Sequence, residues 1–381
     1  TFAATQGGVF RFMDPESKDS IGYSDDGPEK VENNIIKIKA DYEFSDSFKL
    51  RGMVGYLTRS NEQLDVNNYL RDANGDPIWG NSGNTNVSYG GRRFQVKASH
   101  FNVTTRDKQD LLLGLGSEGK LGGGWNYDVV LSSYIKLEDE YRSSDENPHD
   151  PNYDHSGSLT EFQDTGWQLL ELKLNKDSFM NNVSLKFEGG YHYDHARMET
   201  IKWNVLDWEE DEKNKGTFQS STGGQTDTHA VHANLGWELD SKWDLQLGGR
   251  FEAWRSFNAF EHDKKDPNEI GGHDHVNEQA FSPKLSIGFK PRPDWDFQFS
   301  LAQSTRFPIP EEMFSNIDDY DDNNVSNPGL KPEVGNHVTF VAGHYKPKAT
   351  TKVNLFFDYI NDTIFNDTSD NVSTFVNIEL V

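Results

Sequence analysis

Four aspartates lie close together near residue 320, and carboxylate oxygens are the ligands that Ca²⁺ prefers in proteins. They are Asp318, Asp319, Asp321 and Asp322. Their spacing does not follow that of a defined calcium-binding loop, and a solvated acidic surface is the alternative interpretation. We therefore keep Ca²⁺ binding by this acidic segment as a hypothesis.

Histidines are the other candidate metal ligands. His262, His273 and His275 lie in one predicted loop, and His192 and His195 lie close together along one predicted strand end. Neutral imidazole suits transition metals, but no spacing here matches a zinc motif. The sequence also contains no nucleophile elbow and no phosphate-binding loop. We therefore expect that the protein is not an enzyme.

The composition limits the class of protein further. The chain has 381 residues with a mean hydropathy of −0.80, and it contains no apolar run approaching the ~20 residues of a membrane-spanning helix. The net charge of −25 argues against nucleic-acid binding, because a phosphate backbone requires a basic surface. Aromatic residues make up 13% of the chain, Gly is abundant and Cys is absent. This composition favours a β-rich protein without disulfides.

Apolar and polar residues alternate along much of the chain, which is the pattern of strands with one apolar face. Residues 281–308 are an example, with Leu285 and Ile287 before a turn at 291–294 and Phe297 and Phe299 after it. The alternation predicts six hairpins with short turns, at residues 36–56, 111–134, 170–187, 231–251, 285–301 and 337–360.

Long polar connections separate these hairpins. They are predicted at residues 60–90, 140–160, 205–226, 259–277 and 307–335. Structureless loops beyond about 12–15 residues are uncommon in compact soluble domains, whereas short periplasmic turns and long extracellular loops are typical of outer-membrane barrels. The sequence therefore predicts an all-β fold, a transmembrane antiparallel β-barrel.

The alternation also predicts which side chains face lipid and which face the interior. Leu285, Ile287 and Phe299 would face lipid, and Ser286 and Gln298 would face the interior. Tryptophans near strand ends are candidates for interfacial aromatic girdles, with ordinary packing as the equal alternative. These tryptophans are Trp125, Trp167, Trp243 and Trp295.

The C-terminal third combines several motifs in a fixed order. A "PRPDW" turn is followed by "STRFPIPEEMF" at a strand end and then by "NPGLKPE" before the next strand. This order resembles the barrel of TonB-dependent outer-membrane receptors, the family of siderophore and nutrient receptors. Upstream, "YLRDANGDPIW", "GWNYDVVLS" and "LGGRFEAW" are similar to segments of the same family. The residues that carry the match are Arg306, Pro308, Glu311, Asn327, Pro328, Leu330, Lys331, Pro332 and Glu333.

The resemblance implies a receptor of the outer membrane of a Gram-negative bacterium. Such receptors have barrels of typically 22 strands, filled by an N-terminal plug and energised by the TonB complex. Only about 14 strand-like segments are recognisable here. We therefore expect residues 1–381 to form part of the barrel, with the plug, the TonB-contact segment and the last strands not present in this sequence.

The resemblance also implies import of a scarce nutrient, foremost a ferric siderophore or a similar iron complex. The expected partners are the TonB complex, outer-membrane lipid and lipopolysaccharide, and a small-molecule metal chelate. Arg306 and Lys331 are candidate ligand-binding residues, because guanidinium and ammonium groups can hold anionic chelates. Pro328 and Pro332 fix φ and favour extended neighbours, which predicts a structural role for the "NPGLKPE" segment.

Two alternatives remain at this stage. A passive porin would have the same alternation of apolar and polar residues in a barrel. A plug domain and a TonB-contact segment upstream of this sequence would exclude a porin. A soluble secreted β-sandwich used for binding would alternate in the same way, and it would be extracted into buffer without detergent.

Overall fold

The structure is a computed structural model in which almost every described residue belongs to β-structure or to a short connection. The described residues are 2–6, 9–13, 20–25, 27–63, 66–80, 84–89, 92–209, 215–263, 266–272, 275–314, 324–325, 327–369 and 372–378. Within these ranges, no helix has the length and hydropathy that crossing a membrane would require.

The strands are numbered in chain order. They are β1 (Phe2–Gln6), β2 (Val9–Met13), β3 (Ser20–Asp25), β4 (Pro28–Ser45), β5 (Phe48–Gln63), β6 (Asn67–Asn68), β7 (Asn84–Tyr89), β8 (Arg92–Lys97), β9 (Thr104–Lys120), β10 (Trp125–Ser144), β11 (Gly157–Asp177), β12 (Leu185–Val205), β13 (Lys215–Glu238), β14 (Trp243–Asp263), β15 (Asp266–Gly272), β16 (Val276–Arg292), β17 (Trp295–Arg306), β18 (Asn324–Val325), β19 (Glu333–Lys346), β20 (Ala349–Asn361), β21 (Thr363–Ser369) and β22 (Val372–Ile378). One α-helix, α1, spans Pro310–Phe314, and 3-10 turns span Ala98–Phe101, Gly122–Gly124 and Phe179–Asn181.

One large antiparallel sheet dominates the described part of the chain. It has 14 strands in the order β1-β4-β5-β9-β10-β11-β12-β13-β14-β16-β17-β19-β20, with β15 paired to β14. Smaller sheets combine β18, β22 and β21, then β2, β3 and β6, and finally β7 and β8. A single meandering sheet of this width is not the pair of packed sheets that defines a β-sandwich. The described strands therefore exclude the sandwich alternative.

All six predicted hairpins are present as β4–β5, β9–β10, β11–β12, β13–β14, β16–β17 and β19–β20. Two details differ from the prediction. The turn of the fifth hairpin is shorter than expected, since β16 continues to Arg292 and β17 begins at Trp295. Val183 lies in the turn of the third hairpin and not in its second strand.

The predicted long loops are wrong in part, because the strands continue well into them. Residues 215–226 belong to β13, and most of 259–277 belongs to β14 and β15. β13 has 24 residues, whereas a strand needs only about 9–11 residues to cross the membrane. The alternation of apolar residues ends where the lipid ends, but backbone pairing does not. Hydropathy alone therefore places the strand ends too early.

The two faces of the sheet have the predicted character. In the β16–β17 hairpin, Leu285 pairs with Leu301 and Ile287 pairs with Phe299 on one face. On the other face, the Gln298 Nε2 donates to the Ser286 Oγ at 3.0 Å. We call the apolar face the outer face and the polar one the inner face.

Aromatic rings gather on the outer face next to the short turns. Trp125 packs edge-on against Phe187 at 5.9 Å between ring centroids, and Trp295 stacks on His344 at 4.3 Å. Trp243 stacks on Phe289 in the same way, at 4.2 Å. This arrangement is the aromatic girdle expected at one membrane interface.

Trp167 does not belong to this girdle, and of the two alternatives left open for it, ordinary packing applies. It pairs with Tyr134 and shares a face with Glu171 four positions away, which is the inner face. Its position near a strand end in the sequence does not show on which face of the sheet it lies.

Connections far from the short turns form two apolar clusters. The outer loop core contains residues from three connections together with the ends of β8, β11 and β12. Its buried members are Val66, Leu70, Val96, Phe101, Val103, Tyr153, Leu159, Val205 and Trp208. The inner loop core joins α1 and the segment after it to β12 and β14. Its buried members are Met198, Trp254, Ala259, Met313, Phe314 and Leu330.

The two loop cores lie on opposite faces of the sheet. Leu159 belongs to the outer loop core, and Phe162, three residues later in the same strand, packs against the inner loop core. Residues an odd number apart point to opposite faces of a strand. Trp254 shares its face with Arg250, which pairs with Ser282 on the inner face.

Candidate functional site

Arg306 lies at the end of β17 and holds two carboxylates. Its Nε donates to the Glu333 Oε2 at 2.7 Å, and its second terminal nitrogen donates to the other oxygen of Glu333 at 3.0 Å. The remaining terminal nitrogen contacts Glu312 of α1 at 2.9 Å. A guanidinium suits such a two-pronged contact, because its donors lie in one rigid plane. Arg306 thus fastens β17 to β19 and to α1.

Glu333 is the centre of this ion-pair group. The Arg306 guanidinium holds the pKa of the Glu333 carboxyl below its usual value, and the N–H of Ile364 adds to the effect despite burial. That N–H donates to the Glu333 Oε1 at 2.7 Å. The carboxylate therefore also connects β19 to the start of β21.

The "NPGLKPE" segment lies between the inner loop core and the β21–β22 hairpin. Leu330 is 1% exposed in the core. The Asn327 Nδ2 donates to the Phe375 carbonyl at 2.8 Å, and Asn377 both accepts from the Lys331 N–H and donates to the Lys331 carbonyl. These contacts fix the backbone, while the Lys331 side chain is exposed.

Helix α1 packs on the inner face of β12, β13 and β14. Phe314 is buried directly over Gly224, where a Cβ would come within 2.4 Å of its ring. The Thr222 hydroxyl donates to the Phe314 carbonyl at 2.6 Å. Glycine at 224 is therefore required for this close approach, and the helix occupies space on the inner face.

A group of cations surrounds one buried carboxylate nearby. Asp139 has a fully buried side chain that accepts from Arg106 at 2.7 Å and also pairs with Lys136. Lys108 approaches the same carboxylate at 3.9 Å. Arg106 and Lys136 both lie over the ring of Phe162, at 5.3 and 5.2 Å from its centroid. We call these five residues the cation cluster.

The electrostatics of the cation cluster show an excess of positive charge. Burial acts to raise the pKa of Asp139, but hydrogen bonds from Arg106 and Lys136 outweigh it and the pKa is lower than usual. Burial lowers the pKa of Lys108, and the neighbouring cations lower it further. Three cations lie around Asp139, and Asp110, the cross-strand partner of Lys136, adds a second carboxylate. One positive charge is left that an anion could neutralise.

Aromatic side chains connect the cation cluster to the inner loop core. Phe162 contacts both, and Trp254 stacks on Phe307 at 5.6 Å with an angle of 6° between the rings. The inner face below the loops thus combines cations with flat apolar surfaces. Such a surface can hold a planar, anionic ligand by charge and by stacking.

The structure brings the motif residues together but places the two candidate cations differently. Arg306 is bound to carboxylates, whereas Lys331 contributes its backbone. Pro308 is fully buried, and Glu311 is exposed in the first turn of α1. Pro328 lies in the turn before Leu330, and Pro332 precedes Glu333. Ligand binding by Arg306 and Lys331 stays a prediction.

The candidate metal ligands do not converge in the described part of the chain. Asp318, Asp319, Asp321 and Asp322 lie outside the described residues, so Ca²⁺ binding there stays a prediction. His273 lies outside them as well. His192 and His195 are an odd number of residues apart in β12 and point to opposite faces. The described residues contain no group of three or more side chains suited to a metal ion.

The cation cluster was missed from the sequence. Arg106, Lys108 and Asp110 alternate along β9 in a pattern that places all three on one face. That pattern was detectable, but its meeting with Lys136 and Asp139 depends on the register of β9 against β10 and on an irregularity after Lys136.

The fold defines the class first: one wide antiparallel sheet with an apolar outer face, an aromatic girdle and short turns at one end is part of an outer-membrane β-barrel. The family model described as "TonB dependent receptor-like, beta-barrel" matches residues 50–379. The chain therefore belongs to the TonB-dependent receptor β-barrel family. The resemblance seen in the sequence is confirmed.

Solved structures share the fold at low sequence identity. The ferripyoverdine receptor of the outer membrane of Pseudomonas aeruginosa superposes with a TM-score of 0.59 and 13% identity, covering 96% of this chain and 49% of its own. The ferric yersiniabactin uptake receptor FyuA from Yersinia pestis gives 0.52 and 12%, covering 95% and 49%. The RagAB peptide transporter gives 0.60 and 10%, covering 93% and 44%.

The chain thus spans about half the length of the structures it matches. No curated protein sequence matches it. The family places the chain in the outer membrane of Gram-negative bacteria, as predicted, and it is a family of receptors and not of enzymes.

Proposed function

We propose that this chain is part of a TonB-dependent receptor that imports a ferric siderophore or a similar iron complex. The single observation that carries the proposal is the cation cluster on the inner face, with its surplus of positive charge beside Phe162. Many ferric chelates combine negative charge with flat ring systems. The family match and the fold shared with iron-complex receptors are consistent with this ligand class.

The positive charge of the cation cluster contrasts with the charge of the chain as a whole. The chain as a whole has a net charge of −25, so an anionic ligand is repelled by most of the molecule. Cations held in place by a buried carboxylate do not have to be ordered when the ligand arrives, which favours binding. The inner loop core lies next to the cluster and would cover a ligand bound there.

The proposed receptor includes parts beyond residues 1–381. Import against a gradient requires coupling to the TonB complex through an N-terminal segment, and a plug domain to close the barrel. We propose that both precede this sequence in the whole protein. Lipid and lipopolysaccharide of the outer membrane would surround the outer face.

Ligand binding can be tested with the receptor purified in detergent from outer membranes. Ferric citrate, a ferric hydroxamate and a ferric catecholate would be titrated while the fluorescence of the inner-face tryptophans is recorded. We expect at least one ferric chelate to bind, and Lys136→Gln to weaken its binding about tenfold, equivalent to about 1.4 kcal/mol.

Lys284→Gln is the matched control, because Lys284 lies on the inner face of β16 away from the cation cluster. It should leave the affinity unchanged. Equal weakening by both variants would show that the cation cluster is not the site. Absence of binding by every ferric chelate, with binding of a short peptide instead, would overturn the iron proposal and leave the receptor fold intact.

A further inference from the structure

Three neighbouring strands bring a serine, a histidine and an aspartate together on the inner face. Ser304 lies in β17, His337 in β19 and Asp358 in β20. Ser304 follows Gln298 by an even number of residues in the same strand, so both point to the inner face. His337 is the cross-strand partner of Ala302, which shares that face with Ser304, and Asp358 is the cross-strand partner of His337. All three side chains therefore project from the same side of the sheet.

The three side chains contact one another in a line. The Ser304 Oγ lies 2.8 Å from the His337 Nε2, and the His337 Nδ1 lies 2.7 Å from the Asp358 Oδ1. A carboxylate can only accept hydrogen bonds, so the Nδ1 of His337 carries the hydrogen and donates it to Asp358. In the neutral ring the Nε2 then has a free lone pair, and the Ser304 hydroxyl donates to it. The serine is thus hydrogen-bonded to a base that the aspartate holds in the required tautomer.

A glycine makes the contact between the serine and the histidine possible. Gly335 is the cross-strand partner of Ser304. A Cβ at this position would come within 2.7 Å of the His337 Nε2 and 3.0 Å of the Ser304 Oγ. Any larger residue would therefore push the imidazole away from the hydroxyl.

A second histidine of the inner face shows how the arrangement could differ. His192 has the Glu171 carboxylate at its Nδ1 and the Asp194 carboxylate at its Nε2, at 2.6 and 3.1 Å. Both ring nitrogens are occupied by acceptors, so neither can receive a proton from a hydroxyl. His337 has one acceptor and one hydroxyl, which is the arrangement that activates a serine as a nucleophile.

The line of three is open to a molecule on the inner face. Ser304 is exposed, and the side chains of His337 and Asp358 are 33% and 46% exposed. Ser304 lies two residues before Arg306 on the same face, directly below the ion pair of Arg306 with Glu333. A ligand that passes below the inner loop core would therefore pass the Ser304 hydroxyl.

We propose that Ser304 is a nucleophile that takes the acyl group of a carboxylic ester on the inner face. The Ser304 Oγ forms a bond to the carbonyl carbon while the His337 Nε2 takes its proton. The bond from that carbon to the leaving oxygen then breaks, and His337 returns the proton to this oxygen. An alcohol departs, and the acyl group stays on Ser304. Asp358 is a positioning residue, because it acts only through His337.

The proposal adds a modification site to the receptor and does not change its class. One transfer to Ser304 is a covalent modification of the protein and not a turnover. It also does not depend on the identity of the imported ligand, since only the ester group has to reach Ser304.

The first test treats the receptor, purified in detergent from outer membranes, with a fluorophosphonate probe. The Ser304 Oγ would displace fluoride from phosphorus, and mass spectrometry of peptides would locate the label. Ser304→Ala should abolish the label, and His337→Gln should slow labelling about a hundredfold. Ser300→Ala is the matched control, since Ser300 lies on the same face of β17 and donates to the Ser286 Oγ at 2.9 Å. It should label as the wild type does.

The result that overturns the proposal is a wild type without label on Ser304, or with equal labelling of Ser300. Heat-modifiable migration on gels shows whether each variant is folded. If His337→Gln does not fold, Asp358→Asn supplies the same comparison.

The second test separates a positioning role of Asp358 from a structural one. With nitrophenyl acetate, the wild type should release nitrophenol in an amount equal to that of the receptor and carry an acetyl group on Ser304. Asp358→Asn should slow this release about tenfold or more, because an amide can donate to the Nδ1 and favour the wrong tautomer. Asp358→Glu should restore most of the rate. Release at the wild-type rate from folded Asp358→Asn and His337→Gln would show that the three residues only pack together, and would overturn the proposal.

Discussion

The two loop cores both bury apolar side chains, and they lie on opposite faces of one sheet. Each gathers apolar side chains from connections that are polar on average, and each buries a large ring almost completely. Phe101 is 0% exposed in the outer loop core and Phe314 is 1% exposed in the inner one. The difference lies in what each core covers.

The outer loop core joins connections to one another. Trp79 packs edge-on against Phe101 at 5.5 Å, and the Asn147 side chain donates to the Phe101 carbonyl at 2.9 Å. The inner loop core instead fastens residues 307–314 and 327–332 to the wall beside the cation cluster. Its opening would change access to the inner face, whereas opening of the outer loop core would not.

The largest expected effect is that of Phe314→Ala. Removing a buried ring costs about 3–5 kcal/mol, and the lost contacts are those that hold α1 over Gly224. We expect residues 307–314 and 327–332 to become sensitive to protease in the purified protein while residues 145–156 stay protected. Mass spectrometry of the cleavage products would locate the cuts.

Phe101→Ala is the reciprocal variant, with a cost of the same size. It should expose residues 66–80 and 145–156 and leave residues 307–314 and 327–332 protected. Cleavage of both regions in both variants would mean that the two loop cores unfold together, and the comparison would fail.

The strands were predictable from the sequence and the loop cores were not. Alternation located the six hairpins of the large sheet, because lipid demands an apolar side chain at each second position, but it did not locate β2–β3, β7–β8 or β21–β22. Outside the lipid this demand ends. Leu159 and Val205 then show no periodic signal, and their burial depends on Phe101 and Trp208 from other connections. Packing between segments that are distant in sequence cannot be predicted from any one of them.

The motif residues show the same limit. The order of Arg306, Pro308, Leu330 and Glu333 was sufficient to identify the family. The prolines indicated a segment with a fixed backbone conformation. The partners of Arg306 were not evident, because Glu312 and Glu333 are 6 and 27 residues away in sequence. A free cation was therefore an equally reasonable expectation.

After Phe314→Ala and Phe101→Ala, the next largest effect is expected in the part of the sheet that spans the membrane. Phe299→Arg places a charge on the outer face near the middle of the apolar band, which costs about 2–4 kcal/mol. Gln298→Arg is the neighbouring change on the inner face and should be tolerated. Folded yield in the outer membrane measures both. Equal yields would contradict the assignment of the faces.

Arg306→Ala should have a smaller effect, confined to the inner loop core. It removes the contacts to Glu312 and leaves the Glu333 carboxylate, 16% exposed, without its guanidinium. Hydrogen bonds to charged groups contribute about 1.5–3 kcal/mol. Residues 307–314 and 327–332 should therefore exchange their amide hydrogens faster. Arg306→Lys should restore only part of the protection, since an ammonium cannot make the two-pronged contact.

The same ion pair predicts a dependence on pH. The pKa of Glu333 is lowered in the folded protein from its usual value of 4.5. Its contribution to stability is therefore complete above about pH 4.5 and is lost as the pH falls through the lowered pKa. Acid should accelerate amide exchange in residues 307–314 and 327–332 of the wild type. In Arg306→Ala this acid effect should largely disappear, and an unchanged effect would assign it to another group.

The smallest expected effect compares single hydroxyls in the two loop cores. Thr222→Val removes the donor to the Phe314 carbonyl, and Ser144→Ala removes the acceptor of the Val103 N–H at 2.8 Å. Each change should cost about 1 kcal/mol, too little to unfold either core. Local amide exchange should rise near α1 in the first variant and near Val103 in the second. Because the two cores lie on opposite faces and share no buried residue, neither variant should affect the other core. Exchange that spreads from one core to the other would show that the sheet between them transmits the opening.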